Sequence, residues 1–535
     1  MIDYLEKHPY LSLSITCLLL YFFNLGELPA SIMEARNFNV AREMSTQGNW
    51  LKTTMNGIAR YQKPPLPPWL TVPFIKITAL DFVQVYRIST SIIAGTGVLL
   101  MYKVVKLLTH HKQIALYTAL ILATSYYYLV IRFEAPSDTY THVMMLAAVL
   151  FCIHCFKRIH TNSHFWLAGL FFGLSVLAKG PVSPYAVFIP FAIAYVIVYA
   201  QNKKQILLRL LGVVFIGITI GGSWYLYIRL ADPETMQAIA EKETGNWTSY
   251  NVRPFYYYWS FFIQSGLWTI PAFTSLFYPY FKNKIAEKKL YLFSWIWTIA
   301  GVILLSVIPE KKSRYLVPVL IPLAINTALI IQYLIYIQTS YNRLKWLLRF
   351  HHYLILTITL SLLAIPFFIS SDSSNFWIWY GSLATSVLLL FTYSIYQQFK
   401  KNYKIFFWTS IGLMLIVTSI GMTGLPFLKS NKDYHPLQTL DEKRFSKPAF
   451  YYKNIAPEII WDFGKITKKW ASTLQKPEQL IVLVERNRVK RFKNEIADEY
   501  KIISKEKFDR NYFRSAPKKR NRYVTFVFEL KKTNP

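Results

Sequence analysis

The sequence predicts an α-helical polytopic membrane protein that ends in a small α/β domain. Hydrophobic residues make up 53% and aromatic residues 17% of 535 positions, and mean hydropathy is +0.26. Apolar runs near the ~20 residues that a helix needs to cross a bilayer recur along most of the chain. The last hundred or so residues lose that pattern and alternate between short apolar strands and an amphipathic segment.

The apolar runs fall at about 10–26, 83–108, 114–131, 138–156, 164–179, 182–200, 206–229, 255–280, 290–309, 314–337, 346–369, 376–398 and 404–427. They predict about thirteen spans. The first follows "MIDYLEKHPY", which holds Asp3, Glu6 and one lysine. That is a poor secretory leader, so the run reads as a helix. Lys112, Lys157 with Arg158, Lys203 with Lys204, Lys282 to Lys289, Arg343 with Lys345, and Lys400 to Lys404 fall in alternate loops. The positive-inside rule makes those loops cytoplasmic. The expected N-terminus is then cytoplasmic, and the first loop (27–82) and the C-terminus lie outside. The expected location is the inner (cytoplasmic) membrane. One outer loop, "VIPEKKSRYLVPV" (307–319), breaks the rule with Lys311, Lys312 and Arg314. It is a solvated loop tip or an anion site at the membrane surface.

Residues 1–428 are therefore expected to form the membrane domain and 429–535 an extracytoplasmic α/β domain. In the latter, "KPAFYYKNIAPEIIWDFGKI" reads as strand then helix. "EQLIVLVERNRVKRFKNEIADEY" reads as buried strand then amphipathic helix, and "RYVTFVFEL" as a further strand. No phosphate-binding glycine loop or nucleophile motif accompanies them, so this part reads as a cover or recognition domain.

The formal net charge of +32 does not indicate nucleic acid. Basic residues in a membrane protein collect at loops and headgroups, and no zinc-finger, helix-turn-helix or RNA-binding signature is present. "CIHC" (152–155) has C-x-x-C spacing but lies inside an apolar run without a second pair. It reads as buried small side chains, with no metal site or disulfide framework.

The polar groups on the outer side are concentrated in five loops. The first supplies Glu34, Arg36, Arg42, Glu43, Arg60, Gln62 and Lys63. "RFEAPSDTYTH" supplies Arg132, Glu134, Asp138 and His142, the last three at helical spacing that would line one face. Lys179 follows the fifth span, Glu241, Glu243 and Arg253 lie in 230–255, and Lys312, Arg314 and Tyr315 in the basic loop. Carboxylates can take a proton from an acceptor. Cations can stabilise a lipid-phosphate leaving group. The set suits transfer of a sugar from a polyprenyl-phosphate donor that reaches the site sideways from the bilayer. Simpler roles exist for single members: the polar face of an interfacial helix for Arg42 and Glu43, a stiff turn for "KPPLPPW", a core hydrogen bond for His142, and snorkelling for Lys179.

"MEARNFNVAREM…GNW…NG…RYQKPPLPPW" resembles the first-loop signature of the aminoarabinose lipid A transferases and their protein O-mannosyltransferase relatives, polytopic glycosyltransferases of the GT-C class. "GLSVLAKGP" (173–181), "RPFYYY" (253–258) and "KKSRYLVPVLIPLA" (311–324) continue the likeness. The resemblance implies that Arg36 and Lys63 hold the carrier phosphate, and that Asp138 matches an acidic residue opening the fourth span. Lys179 belongs to the family's KGP, and Lys312 or Arg314 with Tyr315 to its basic segment. The family's leading aspartate is Met33 here, which leaves Glu34 and Asp138 as the candidate catalytic carboxylates. The glutamate that serves as a metal ligand in the aminoarabinose branch is Gln62, and a neutral amide binds a divalent cation weakly, so no metal ligand is assigned.

The expected function is an inverting, lipid-linked glycosyltransferase. Its donor phosphate would be bound by Arg36, Lys63, Lys179, Lys312 and Arg314, and its substrates would be contacted by Glu134, His142, Glu241, Glu243 and Tyr315. The acceptor would be a lipid A-type glycolipid or a protein hydroxyl. A flippase for lipid-linked sugars would instead need charge along a path through the membrane, and a scaffold would leave the five-loop set without a purpose.

Overall fold

The computed structural model describes residues 1–157, 161–340, 343–369, 373–429, 431–440, 446–471, 477–513 and 521–533. Arg158, one of the basic loop residues, lies outside them. The chain is mostly helical. Among the described residues seven helices are long and apolar enough to cross a membrane, and two bent pairs, 112–134 and 405–428, bring the number to nine. The expected thirteen is not confirmed, because four of the runs, including that of the helix Thr161–Lys179, are not among these nine. Some runs give helices too short to qualify, such as Pro9–Tyr21 and Pro184–Val198. The run at 255–280 breaks into 3₁₀ segments, Phe255–Tyr258 and Phe261–Trp268, before two short helices, Thr269–Ser275 and Tyr278–Phe281. Gly266 adopts φ +68° inside that run, a conformation glycine takes without a Cβ penalty. Apolar composition alone could not show that interruption.

Two helices occupy the first loop. Ile32–Gln47 begins at Ser31 with a capping box and ends at left-handed Gly48, both strong boundary signals. Leu66–Thr78 starts immediately after Pro65, so "KPPLPPW" is a stiff turn feeding a helix. Between them β1 (Thr54–Met55) and β2 (Ile58–Ala59) form a small hairpin. Glu43 holds it by accepting from Thr54 Oγ1 at 2.7 Å and the Gly57 N–H at 3.1 Å, and from the Asn56 N–H. A further helix, Pro233–Ser249, fills the loop after the seventh apolar run.

At the opposite end, Lys404 Nζ pairs with Asp3 at 2.8 Å and Glu6 at 2.7 Å. The N-terminus therefore sits at the same end as the basic 400–404 loop. Cys152 and Cys155 are buried and unlinked.

The C-terminal sheet has five strands in the order β4-β3-β5-β7-β6: β3 Ala449–Tyr451, β4 Lys468–Lys469, β5 Gln479–Glu485, β6 Tyr500–Asp509 and β7 Val524–Lys532. β3 is parallel to β4 and β5, whereas β7 pairs antiparallel with β5 and β6. One face buries Phe492 and Ile496 of the helix Val489–Ile496 against Leu480, Val482 and Phe528. The other buries Ile459 and Phe463 of the helix Pro457–Phe463 against Ile481, Leu483 and Val527. Trp461 leaves that second helix on its far side and packs on Phe38 and Tyr86, with ring centroids 5.1 and 4.6 Å apart. The Arg42 guanidinium lies 4.0 Å above the same indole. Arg510 completes the joint, donating to Asp462 at 2.6 Å and to the Ala30 carbonyl at 2.7 Å. The sheet is thereby seated on the first-loop helix.

Candidate active site

The first-loop helix divides its charged residues between support and site. Glu34 is 1% exposed and both of its oxygens are engaged. They accept from Arg87 Nε at 2.7 Å and Arg87 Nη2 at 3.0 Å, and from the Ser31 N–H at 2.9 Å. Arg87 also donates to the Leu25 and Leu28 carbonyls. The pair ties the helix start to the long helix Val83–Thr109. Glu34, expected from the sequence as a catalytic carboxylate, has both oxygens committed to Arg87 and to the capping box. Arg36 is half-buried on another face. Its Nη1 meets only the Met33 sulfur, at 3.6 Å, and its buried Nε has no hydrogen-bond partner. Burial lowers its pKa, and Glu458 acts in the opposite sense while Arg522 and Arg314 add to the lowering.

Asp138 sits in the first turn of Pro136–Phe156, where the helix dipole favours an anion. It is 2% exposed. Oδ1 accepts from Lys179 Nζ, and the buried Oδ2 has no partner. Lys179 closes the helix Thr161–Lys179 because Gly180 follows in the left-handed conformation at φ +76°. A Cβ at Gly180 would come within 2.9 Å of the Tyr225 hydroxyl. The "KGP" segment thus ends the helix with its lysine over Asp138. His142, one turn beyond Asp138, is fixed by Ser183 Oγ at 2.6 Å from Nδ1. Glu134 does not share this face. It ends a separate helix, Tyr126–Glu134, and Pro136 opens the next. Its carboxylate instead lies 3.8 Å from Arg314 Nη1. Arg132 is structural, donating to the Tyr21 and Leu20 carbonyls and to Ser91.

The basic loop splits in the same way. Lys311 is 4% exposed and its ammonium donates to the Arg253 carbonyl at 3.2 Å and to that of Ile308, which satisfies a buried cation. Lys312 pairs with Glu310 and lies 3.3 Å from the Tyr315 hydroxyl. The Tyr315 ring is 5.2 Å from Lys179 Nζ. Arg314 has a buried Nε without a partner.

Lys63 faces this group from the first loop, within electrostatic reach of Lys179, Asp138, Glu243 and Arg60. Burial pushes its pKa down to about 8, with neighbouring Lys179 adding to the effect. Burial likewise brings Arg60 down to about 10. Asp138 opposes the shift of Lys63, and Glu243, on Pro233–Ser249, acts in the same sense on both residues. Glu241 is exposed on that helix and accepts from Gln237 at 3.0 Å, outside the cluster. Gln62 Oε1 is buried without a partner. Among the described residues no three His, Cys, Asp or Glu side chains converge as metal ligands. The single anion at the centre, Asp138, is committed to Lys179. A divalent cation does not fit that donor set.

The structure brings together Arg36, Lys63, Asp138, His142, Lys179, Lys312, Arg314, Tyr315 and Glu243, and leaves Glu34 and Glu241 aside. Cations exceed carboxylates, and among the described residues Arg36 Nε, Arg314 Nε and Asp138 Oδ2 are each buried without a partner. Such a pocket binds an oxyanion and can accept one proton. Arg87 escaped the sequence reading although an arginine inside an apolar span signals a buried partner. Glu458 and Arg522 of the C-terminal sheet carried no sequence signal for the site.

Residues 62–224 match the family model described as dolichyl-phosphate-mannose-protein mannosyltransferase. An uncharacterized Aquifex aeolicus protein is 25% identical over 324 residues, 60% of this chain and 63% of that protein. The undecaprenyl phosphate-alpha-4-amino-4-deoxy-L-arabinose arabinosyl transferase 2 of Proteus mirabilis is 21% identical over 309 residues, 55% of this chain and 54% of the enzyme. The matched region thus spans between half and two-thirds of these relatives. The crystal structure of ArnT from Cupriavidus metallidurans bound to undecaprenyl phosphate superposes with a TM-score of 0.70 at 14% identity, covering 97% of both chains. The chain therefore has the fold of ArnT over 97% of its length, that of a polytopic membrane protein.

Proposed function

We propose that the chain is a membrane glycosyltransferase that takes its sugar from a polyprenyl-phosphate donor and works on the extracytoplasmic side. The observation that carries this is the buried Asp138 carboxylate, one oxygen on Lys179 and the other unpartnered, inside a ring of cations suited to a phosphate. The cytoplasmic N-terminus is supported by its pairing with Lys404 at the end of the molecule with the basic loops.

In this reading the acceptor presents its hydroxyl to Asp138 Oδ2. The acceptor oxygen attacks the anomeric carbon as the bond from that carbon to the phosphate oxygen breaks. The electron pair stays on the carrier phosphate, where Arg36, Lys63 and Arg314 stabilise it, and the proton passes to Asp138. A single displacement inverts the anomeric centre. Lys179 holds and orients Asp138 through Oδ1, and the Tyr315 ring packs beside the Lys179 ammonium. The acceptor is a lipid A-type glycolipid, the kind of substrate the likeness to ArnT favours. The match of residues 62–224 to a protein mannosyltransferase model supports protein hydroxyls as a second reading.

Mass spectrometry of lipid A and of surface glycoproteins from a deletion strain tests both. A glycosyl mass missing from lipid A supports the first reading and one missing from a protein supports the second. Unchanged spectra in both would overturn the enzyme assignment.

A further inference from the structure

The C-terminal sheet reaches the same cluster of cations. Its helix Pro457–Phe463 runs along the first-loop helix. Asn39 Nδ2 donates to the Pro457 carbonyl at 2.9 Å, and Arg42 Nη2 donates to the Trp461 carbonyl at 3.1 Å. Arg36 lies one turn before Asn39 on the same face, so it is directed at the start of that helix, where Glu458 stands. Glu458 is completely buried. It accepts from Arg522 Nη2 at 3.1 and 3.3 Å and from the Tyr523 hydroxyl at 2.9 Å. The Arg522 side chain remains 41% exposed, and its Nε and Nη1 have no partner among the described residues. One buried carboxylate therefore grips Arg522 of the sheet and acts electrostatically on Arg36 of the membrane domain, whose Nε is itself unpartnered among the described residues.

A buried charge flanked by cations in this way is costly unless the geometry is used. Arg522 is also fixed at one end by Glu458 and Tyr523, which reduces the entropy it loses on gripping a ligand. We propose that Arg522 is a substrate-binding residue of the membrane site, forming with Arg36 a two-domain clamp for phosphate oxygens. Glu458 is the post that holds the Arg522 arm. The phosphate belongs to the carrier lipid or to a phosphorylated acceptor. This inference rests on the reading of Arg36 as a phosphate ligand. It gives the C-terminal domain a direct share in substrate binding, beyond that of a cover.

The test compares the full-length protein with Arg522→Ala and Arg522→Lys in nanodiscs, titrated separately with undecaprenyl phosphate and with lipid A. Tm and limited proteolysis report whether the sheet stays docked. The expected result is at least a tenfold weaker Kd for one probe in Arg522→Ala, partial recovery in Arg522→Lys, and unchanged Tm and cleavage pattern. Loss confined to undecaprenyl phosphate identifies the carrier as the source, and loss confined to lipid A identifies the acceptor. If Arg522→Ala undocks the sheet, Tyr523→Phe, which leaves the Glu458 pair in place, must show a smaller loss for the same probe. Wild-type affinity for both probes in Arg522→Ala would overturn the clamp and leave the glycosyltransferase reading standing. Failure of the wild-type protein to bind either probe would overturn both.

Discussion

Replacing Glu34 with alanine separates a structural carboxylate from a catalytic one. The substitution removes three hydrogen bonds, two from Arg87 and one from the Ser31 N–H. It leaves the Arg87 guanidinium 2% exposed, with backbone carbonyls and the Phe133 ring but no carboxylate beside it. Breaking a buried ion pair on one side costs ~3–5 kcal/mol because the remaining charge is uncompensated. Loss of the reciprocal half of the capping box adds up to ~1 kcal/mol. The measurement is unfolding in detergent followed by tryptophan fluorescence, with undecaprenyl phosphate binding read in parallel. Glu34→Ala should lower Tm by several degrees. The double variant Glu34→Met with Arg87→Met should recover most of that loss, since it removes both charges and keeps the volume. A variant with wild-type Tm and abolished transfer would refute this reasoning and return Glu34 to the chemistry.

Asp138→Asn should cut kcat by about 10²–10⁴-fold, the usual worth of a positioned base, while undecaprenyl phosphate still binds; equal loss of binding would mean that Asp138 only holds Lys179 in place. Lys63, with its pKa pushed down to about 8, should bind phosphate fully below about pH 7 and release it as pH rises through 8, because only the protonated amine attracts the anion. Lys63→Arg keeps its charge throughout, so its Kd profile between pH 7 and 9 should be flat, and a profile parallel to wild type would exclude Lys63 as the titrating group. Trp461→Ala removes an indole that is 1% exposed and should cost ~3–5 kcal/mol at the joint; faster proteolytic release of the C-terminal sheet would register it, and an unchanged cleavage rate would mean that Arg510 carries the joint.

Much of this architecture can be read from the sequence because hydrophobic period and length are local properties. The strand–helix alternation after residue 447, the helix fed by "KPPLPPW" and the buried cysteines all follow from neighbours within one or two turns. The site was legible only in part, because its members meet through tertiary packing. Arg36, Lys63 and Asp138 stood out as charges beside apolar runs. Nothing local showed that Glu34 would face Arg87 more than fifty positions away, or that Lys311 would spend its ammonium on carbonyls while Arg314 kept a free donor. Glu134 failed for a different reason: its spacing to Asp138 is helical, but Pro136 starts a new helix between them. The run at 255–280 has the composition of a span, and only its φ values reveal the break.

Met33 gains a physical meaning from the way the C-terminal sheet is seated. By the family resemblance, position 33 carries an aspartate three residues before the phosphate-binding arginine, so that carboxylate and guanidinium share one helical face. Here the same position offers a thioether, a weak acceptor, 3.6 Å from Arg36 Nη1. Arg36 is half-buried and needs a counter-charge, and Glu458 of the C-terminal sheet lies within its electrostatic reach. The opposing charge named for Arg36 thus comes from another part of the chain, not from its own helix. Undocking the sheet would then strip Arg36 of Glu458 as well as removing Arg522. In a chain with an aspartate at 33 the same undocking would leave the arginine paired. Met33→Asp should therefore make carrier-phosphate binding less sensitive to Trp461→Ala. If Kd worsens by the same factor on Trp461→Ala with and without Asp at 33, Glu458 is not the counter-charge that Arg36 uses.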